Sequence, residues 1–234
     1  MSAVFKRELK GYFTSPIGWI YLAVFYFFAG LFLFLGPVLM LSPNMSSLFS
    51  SLQTIVMFLV PILTMRLFSE DKRQKTEQLL LTAPVGLTGI IFGKLLAAFT
   101  VFAMGFSATF IYALVLEGFG AVEWAIYFSN LIGMLLLGLA LISIGAFISS
   151  LTENQVVAAI GGFAVTLLLV FVDTLASVFT TGWISAILTN LSVYTRYNDF
   201  SLGVINFSDI IFFLSVSAVF IFLTVRVFEK KRWS

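Results

Sequence analysis

The chain has 234 residues, of which 60% are hydrophobic and only 10% charged, with a net charge of +2 and neither Cys nor His. A soluble domain carries about 25% charged residues, so a mean hydropathy of +1.08 places this chain in a membrane. Disulfides, thiolate or imidazole metal sites and Cys- or His-based catalysis are excluded, and the near-neutral charge speaks against nucleic acid as a partner.

Residues 1–15 are too polar to span. On a helical wheel Val4, Phe5, Leu9, Tyr12 and Phe13 share one half, and Lys6, Arg7 and Lys10 lie on the other. The pattern predicts an amphipathic helix in the membrane interface, with its bases near lipid phosphates. Ser15-Pro16 breaks it, and Gly18 helps the chain turn inward. A plain basic flank that sets topology would carry the same charges.

A bilayer core of about 30 Å takes roughly 20 apolar residues per helix. Such runs cover 17–41, 48–65, 90–116, 125–150, 156–178 and 210–225, which predicts six spans. The first starts too late and runs too long for a cleaved signal peptide, so all are read as retained. The 28 Phe and 17 Gly suit lipid-facing and close-packed membrane helices. Pro43-Asn44, the stretch from Glu117 to Glu123, and Thr152-Glu153-Asn154 supply turns between spans. Glu153 or Asn154 falls near the start of the fifth helix. On that helix Ala158 and Gly162 put small residues one turn apart, a pattern that permits close helix approach.

The densest charge cluster is Ser69-Glu-Asp-Lys-Arg-Gln-Lys-Thr-Glu-Gln-Leu-Leu-Leu-Thr-Ala-Pro-Val85, after a stretch from Gly11 to Met65 with no charge at all. A helix begun near Thr76 and ended by Pro84 would have Leu79, Leu80 and Leu81 as its apolar side, with Glu77 near its start suiting the dipole. Such a helix, parallel to the membrane, fits a groove on a soluble partner. A solvated loop that merely enforces topology is the other reading. Lys94, just inside the third span, is read as a lysine snorkelling to the interface.

Residues 179–207 are too long for a hairpin turn and too polar for a plain span. Trp183, Ile184, Ile187, Leu188 and Leu191 follow helical spacing, with Asn190 and Ser192 off that face, and Tyr194, Tyr197 and Phe200 add interfacial aromatics. They predict a short amphipathic or re-entrant helix at the outer leaflet, against the alternative of an outer loop lying on the headgroups.

Basic residues orient the bundle. With six spans, Lys6, Arg7, Lys10, Arg66, Lys72, Arg73, Lys75, Lys94, Arg226, Lys230, Lys231 and Arg232 fall on one side, and only Arg196 of the 13 falls on the other. The positive-inside rule makes that side, with both termini, cytoplasmic.

Residues 70–94 resemble the ABC-2 type permeases of ATP-driven transporters. The likeness lies in an acidic-basic run, then Lys75-Thr-Glu-Gln-Leu-Leu-Leu-Thr-Ala-Pro-Val85, then Ile91-Phe-Gly-Lys94. Thr76, Leu79, Leu80, Leu81, Pro84, Gly93 and Lys94 match that family's pattern; Lys75 stands where many members have Gly, Glu77 where they have an apolar residue, and Gln78 where they have Glu. Phe5-Lys-Arg-Glu-Leu-Lys-Gly-Tyr-Phe-Thr-Ser-Pro-Ile-Gly18 is similar to the amino terminus of the gliding-motility and copper-processing branch. Asp199-Phe-Ser-Leu-Gly-Val-Ile205 and Phe228-Glu-Lys-Lys-Arg-Trp233 resemble its carboxyl end.

The resemblance implies an all-α integral membrane fold forming one domain over 1–234. It comprises six transmembrane helices, the interfacial helix at 1–15, a coupling helix in the loop 67–89 between the second and third spans, and an outer re-entrant segment at 179–208. It also implies a permease subunit in the bacterial plasma membrane, an exporter rather than an importer. Glu70, Asp71, Lys72, Arg73, Thr76, Glu77, Gln78, Leu79, Leu80 and Pro84 would couple it to a separate cytoplasmic ABC ATPase. ATP and Mg would sit on that partner, with no cofactor bound by this chain. A second permease copy or paralogue, membrane lipid and an extracytoplasmic accessory subunit complete the implied partners.

Gly89-Ile-Ile-Phe-Gly-Lys94 is no phosphate loop, because Walker A needs four residues between its glycines and Ser or Thr after the Lys. Asp173 and Asp209, near the outer ends of their spans, have no motif of an aspartyl intramembrane protease around them. A channel or secondary carrier without an ATPase, and a membrane scaffold, are the alternative classes; the lack of central charges and of an inverted repeat argues against an ion-coupled carrier.

Single cysteines placed in this Cys-free chain test the topology. Asn44→Cys, Gly120→Cys and Asn190→Cys are expected to react with an impermeant reagent from outside, and Ala3→Cys, Gln74→Cys and Arg232→Cys are not. Labelling of Gln74→Cys from outside overturns the orientation.

Overall fold

A computed structural model describes residues 2–39, 44–75, 86–118, 120, 122–178, 190 and 192–233. The described residues are helical, with no strand among them. Helix α1 covers Ser2–Thr14 and α2 covers Pro16–Leu33, continuing into a π-helical turn at Phe34–Val38. Helix α3 is Met45–Thr64, α4 is Ser69–Arg73, α5 is Leu87–Gly105 and α6 is Ser107–Glu117. Helix α7 is Trp124–Leu151, α8 is Gln155–Val178, α9 is Val193–Ser201 and α10 is Phe207–Trp233. Six segments are long and apolar enough to cross a membrane: Pro16–Val38, Met45–Arg73, Leu87–Glu117, Trp124–Leu151, Gln155–Ala176 and Phe207–Lys230. Crossing six times returns the chain to the end where it began; that end, where α1 and α4 lie, is the basic end, and the other is the far end.

Span 4, α7, is the central helix, packing against α3, α5, α8, α9 and α10. It can be central because glycines on its inward side let three neighbours approach closely. A side chain at Gly133 would strike Phe200 of α9, one at Gly138 the ring of Phe102 of α5, and one at Gly145 the hydroxyl-bearing side chain of Thr64 of α3. In lipid no hydrophobic drive pulls one helix onto another, so van der Waals fit of this kind carries association. The same device recurs on α8, where Gly162 packs on Pro61 of α3, an added Cβ lying 2.9 Å from the proline Cβ, and Ala158 is buried one turn away.

An aromatic cluster joins the first four spans. Phe106 lies 4.9 Å from Phe25, 5.2 Å from Phe102 and 6.4 Å from Phe49 between ring centroids, and Phe49 lies 5.7 Å from Tyr127. Phe106 also marks a departure from the expected single helix over 90–116. The third span is interrupted there, with α5 ending at Gly105 and α6 beginning at Ser107. Local hydroxyls explain the break. Ser107 Oγ donates to Met104 O at 2.7 Å and Thr109 Oγ1 to Phe106 O at 2.7 Å, competing with the helical ladder. Tyr26 of span 1 adds its hydroxyl to the Met104 carbonyl at 3.1 Å, so the released acceptor is satisfied within the protein.

The turns are closed by side chains that the sequence singles out. Asn44 Oδ1 accepts from Ser46 N at 2.8 Å at the start of α3; Pro43 lies outside the described residues. At the turn between spans 4 and 5 it is Asn154, not Glu153, that caps, accepting from Val156 N at 2.9 Å. Glu117 Oε2 accepts from Val122 N at 3.2 Å across the turn before span 4.

Helix α1 turns its apolar half to the protein. Tyr12 is buried and Phe5, Leu9 and Phe13 pack on the core, while Lys6, Arg7 and Lys10 are exposed. Its main neighbour is α5. The chain then doubles back into span 1 so tightly that a Cβ on Gly18 would lie 2.6 Å from Tyr12 O. Trp19 Nε1 staples the turn, donating to Phe13 O at 2.9 Å.

Gly138→Ala is expected to lower stability by about 2 kcal/mol, because the Phe102 ring has no room to retreat among its aromatic neighbours. Gly11→Ala, with nothing within 4 Å of the new Cβ, is expected to be neutral or stabilising by up to about 1 kcal/mol. Thermal unfolding of the detergent-solubilised variants checks both.

Candidate functional site

The basic end is organised around Lys94. It sits seven residues into α5, about 10 Å along the helix. Its side chain is only 3% exposed, so it does not snorkel as expected from its position near a helix start. An ammonium has three donors, and here there are three acceptors. Nζ meets Leu67 O at 2.8 Å, Asp71 Oδ2 at 2.8 Å and Glu8 Oε1 at 3.1 Å. The Phe68 ring centroid is 5.5 Å away, an added cation–π contact. The lysine stays inside because leaving would break its contacts with carboxylates of two other elements, α1 and α4.

Helix α4 is held from both sides. Toward α5, Asp71 meets Lys94. Toward α7, Lys72 is buried and its Nζ donates to Ser150 O. Ser149 Oγ accepts from both Phe68 N and Ser69 N at 3.1 Å and donates to Met65 O at 3.0 Å. One hydroxyl of span 4 thus satisfies the backbone where span 2 hands over to α4. Glu70 pairs with Arg66 at 2.5 Å, and Arg66 Nη1 donates to Ser15 Oγ at 2.6 Å, tying the α1–α2 turn into the same network. Tyr12 OH donates to Leu63 O at 3.0 Å. Burial, followed by the charge of Glu8, pushes the Tyr12 phenol above the ordinary tyrosine range, so it remains a donor.

The ten residues of the expected coupling site therefore divide. Thr76, Glu77, Gln78, Leu79, Leu80 and Pro84 lie outside the described residues. Asp71 and Lys72 face inward and Glu70 faces Arg66, whereas Arg73 is exposed. Arg73 borders a cavity of about 310 Å³ whose other lining residues, Glu153, Asn154, Gln155 and Val156, come from the turn between spans 4 and 5. Within the described part of the charged run, Glu70, Asp71 and Lys72 are thus anchored to the bundle. Lys75 follows α4 at φ 57°, the left-handed region, where a non-glycine residue costs about 1–2 kcal/mol.

The far end has its own lock. Arg196 Nη1 lies 2.7 Å from Asp209 Oδ1 and donates to Ser208 Oγ at 2.9 Å; Nη2 donates to Asn190 Oδ1 at 3.3 Å. Asp209 at the start of span 6 is thereby neutralised. Helix α9, capped by Ser192, buries Val193, Tyr197 and Phe200 against span 4. Tyr197 OH donates to Asn130 Oδ1 at 3.0 Å, and burial pushes its phenol upward. Ser46 Oγ donates to Ser201 O at 2.9 Å, joining span 2 to α9. Of the expected outer helix face, Trp183, Ile184, Ile187, Leu188 and Leu191 lie outside the described residues.

Six segments long and apolar enough to cross a membrane, with a charged junction at one end of the bundle, define a multi-pass membrane protein. The family profile described as "ABC-2 family transporter protein" matches residues 2–233, and the chain belongs to that family. It is a permease subunit of an ABC transporter, and the family implies partnership with an ABC ATPase. No curated protein matches the chain at a significant level.

The sequence reading missed the role of Lys94, Glu8 and Arg196. One signal was available for Lys94: a charge inside an apolar span is costly and calls for a partner. Which carboxylates answer it depends on helices distant in sequence.

Lys94→Met removes the cation that Glu8 and Asp71 share, with Arg7 still 2.6 Å from Glu8 Oε1, and is expected to cost about 3–5 kcal/mol. Adding Glu8→Gln and Asp71→Asn is expected to restore most of that loss. Thermal unfolding of the single and triple variants in detergent measures both effects.

Proposed function

We propose that this chain is the permease of an ATP-driven exporter in the bacterial plasma membrane, with both termini and the basic end in the cytoplasm. It works with a second permease, a copy or a paralogue, and with separate cytoplasmic ATPase subunits that carry ATP and Mg. Its terminal motifs favour the gliding-motility and copper-processing branch, and an extracytoplasmic accessory subunit fits the far end. Residues 67–89 and the turn at 152–155 form the face that receives the ATPase.

The observation that carries this reading is the Lys94 junction. A push delivered to the segment after α4 is passed through Asp71 to α5 and α1, and through Lys72 to α7. In the ordered packing of such a bundle, small displacements at one end move whole helices. Asp71 and Lys72 act as internal anchors in this scheme, and Glu70 holds Arg66. Arg73, with Thr76, Glu77, Gln78, Leu79, Leu80 and Pro84 beyond it, supplies the contact with the partner.

The test reverses the exposed charge. Arg73 is the exposed last residue of the second span, and Arg73→Glu leaves the Lys94 junction intact, so insertion and thermal stability are expected to be unchanged. Co-purification with the ATPase, or ATP turnover coupled to transport, is expected to fall at least tenfold, since a like-charge contact at an interface costs several kcal/mol. Unchanged complex formation together with unchanged coupled turnover would remove Arg73 from the docking face.

A further inference from the structure

A lateral groove of about 450 Å³ runs between α3 of span 2 and α8 of span 5. That volume is in the range of small-molecule sites. Its walls are chiefly apolar: Met57 and Phe58 from α3, Leu167 and Val170 from α8. Tyr194, just inside α9, stands at the far-end side. No Asp, Glu, Lys or Arg is found among the described lining residues.

One polar group in this wall is out of balance. Gln53 lies eight residues into α3, about 12 Å below the far-end start of the helix. The residue is 2% exposed, it lines the groove, and its Nε2 has no hydrogen-bond partner. The threonines opposite do not serve it. Thr166 Oγ1 donates to Phe163 O at 2.9 Å and Thr174 Oγ1 to Val170 O at 3.0 Å, both carbonyls of their own helix. A buried amide donor without an acceptor is destabilising and calls for one.

We propose that this groove binds the acyl segment of a lipid-like molecule, with Gln53 Nε2 donating to the carbonyl oxygen of its amide or ester linkage. The apolar walls take the hydrocarbon, the Gln53 donor sets its depth, and the absence of charge in the described lining keeps ionic groups at the mouth. The groove opens sideways between two helices rather than along the bundle axis, so a molecule dissolved in one leaflet reaches it without entering water. That this occupant is transported cargo rests on the exporter reading; its binding does not.

The test uses three photoactivatable probes of equal chain length, each with a mid-chain diazirine: an N-acyl glycinamide, an acyl glycerol and the matching hydrocarbon without a carbonyl. They are offered to the full chain in nanodiscs, with and without the ATPase, and adducts are mapped by peptide mass spectrometry. Adducts at Met57, Phe58 or Leu167 are expected, with at least one carbonyl probe labelling more strongly than the hydrocarbon. The stronger of the two tells an amide-linked from an ester-linked source. Gln53→Met keeps the length of the side chain and removes the donor. It is expected to lower labelling by the preferred carbonyl probe roughly fivefold, the worth of one neutral hydrogen bond, and to leave the hydrocarbon probe unchanged. Leu167→Trp, which fills the groove from its lipid-exposed side, is expected to abolish labelling by all three. Equal labelling by all three probes in the unaltered chain, or insensitivity to Gln53→Met, overturns the proposal. So does efficient disulfide formation between two copies carrying Gln53→Cys, which would assign the groove to a subunit interface. ATPase association scored in the same samples separates failure of the groove from failure of the exporter reading.

Discussion

A buried lysine in a membrane helix is unstable unless its charge and its three protons are all answered. Lys94 is answered completely, by Asp71, Glu8 and the Leu67 carbonyl, and this requirement shapes the basic end of the molecule. Removing an ammonium and two carboxylates from water costs several kcal/mol per ion, which only close pairing and full hydrogen bonding offset. The cluster is therefore weak as a source of net stability and strong as a constraint on geometry. Helices α1, α4 and α5 are tied to one another through this one ammonium. Lys72 and Ser149 extend the constraint to the end of span 4.

The second constraint is steric. Span 4 touches most of its neighbours, and it does so through notches left by Gly133, Gly138 and Gly145. Each notch receives a side chain from a different element, Phe200, Phe102 or Thr64, so α9, α5 and α3 are each fixed against one helix. Spans 5 and 6 are much less buried within the chain, and their apolar residues face outward along most of their length. The polar junction sits at the end of this tight unit formed by spans 2, 3 and 4. Helix α4 thus joins the bundle where it is most tightly packed.

The two ends differ in how they use charge. At the far end, among the described residues, one pair, Arg196 with Asp209, joins the approach to span 6 with its first turn, and neutral bonds from Tyr197 and Ser46 do the rest. At the basic end charges are many: Lys94, Glu8, Asp71 and Lys72 bond within the bundle, and Lys6, Arg7, Lys10, Arg73 and Lys75 are exposed.

Much of this was legible in the residues themselves. Six spans follow from the length of apolar runs, because a bilayer accepts only helices of about that length with their backbone satisfied internally. The two faces of α1 follow from the spacing of Phe5, Leu9 and Tyr12 against Lys6, Arg7 and Lys10, since a helix returns to the same face every 3.6 residues. The cap at the start of span 5 was narrowed to two adjacent residues by local chemistry. These are all properties of neighbours in sequence. What only the tertiary structure decided depends on residues far apart. The pairing of Lys94 with Glu8, the use of Tyr26 to satisfy the break in span 3, and the aromatic ring or hydroxyl that fills each glycine of span 4 join positions tens of residues distant. A periodic pattern says which side of a helix is apolar or charged; it carries no information on which other helix will meet that side, because that is set by mutual packing and by the need to leave no buried charge alone.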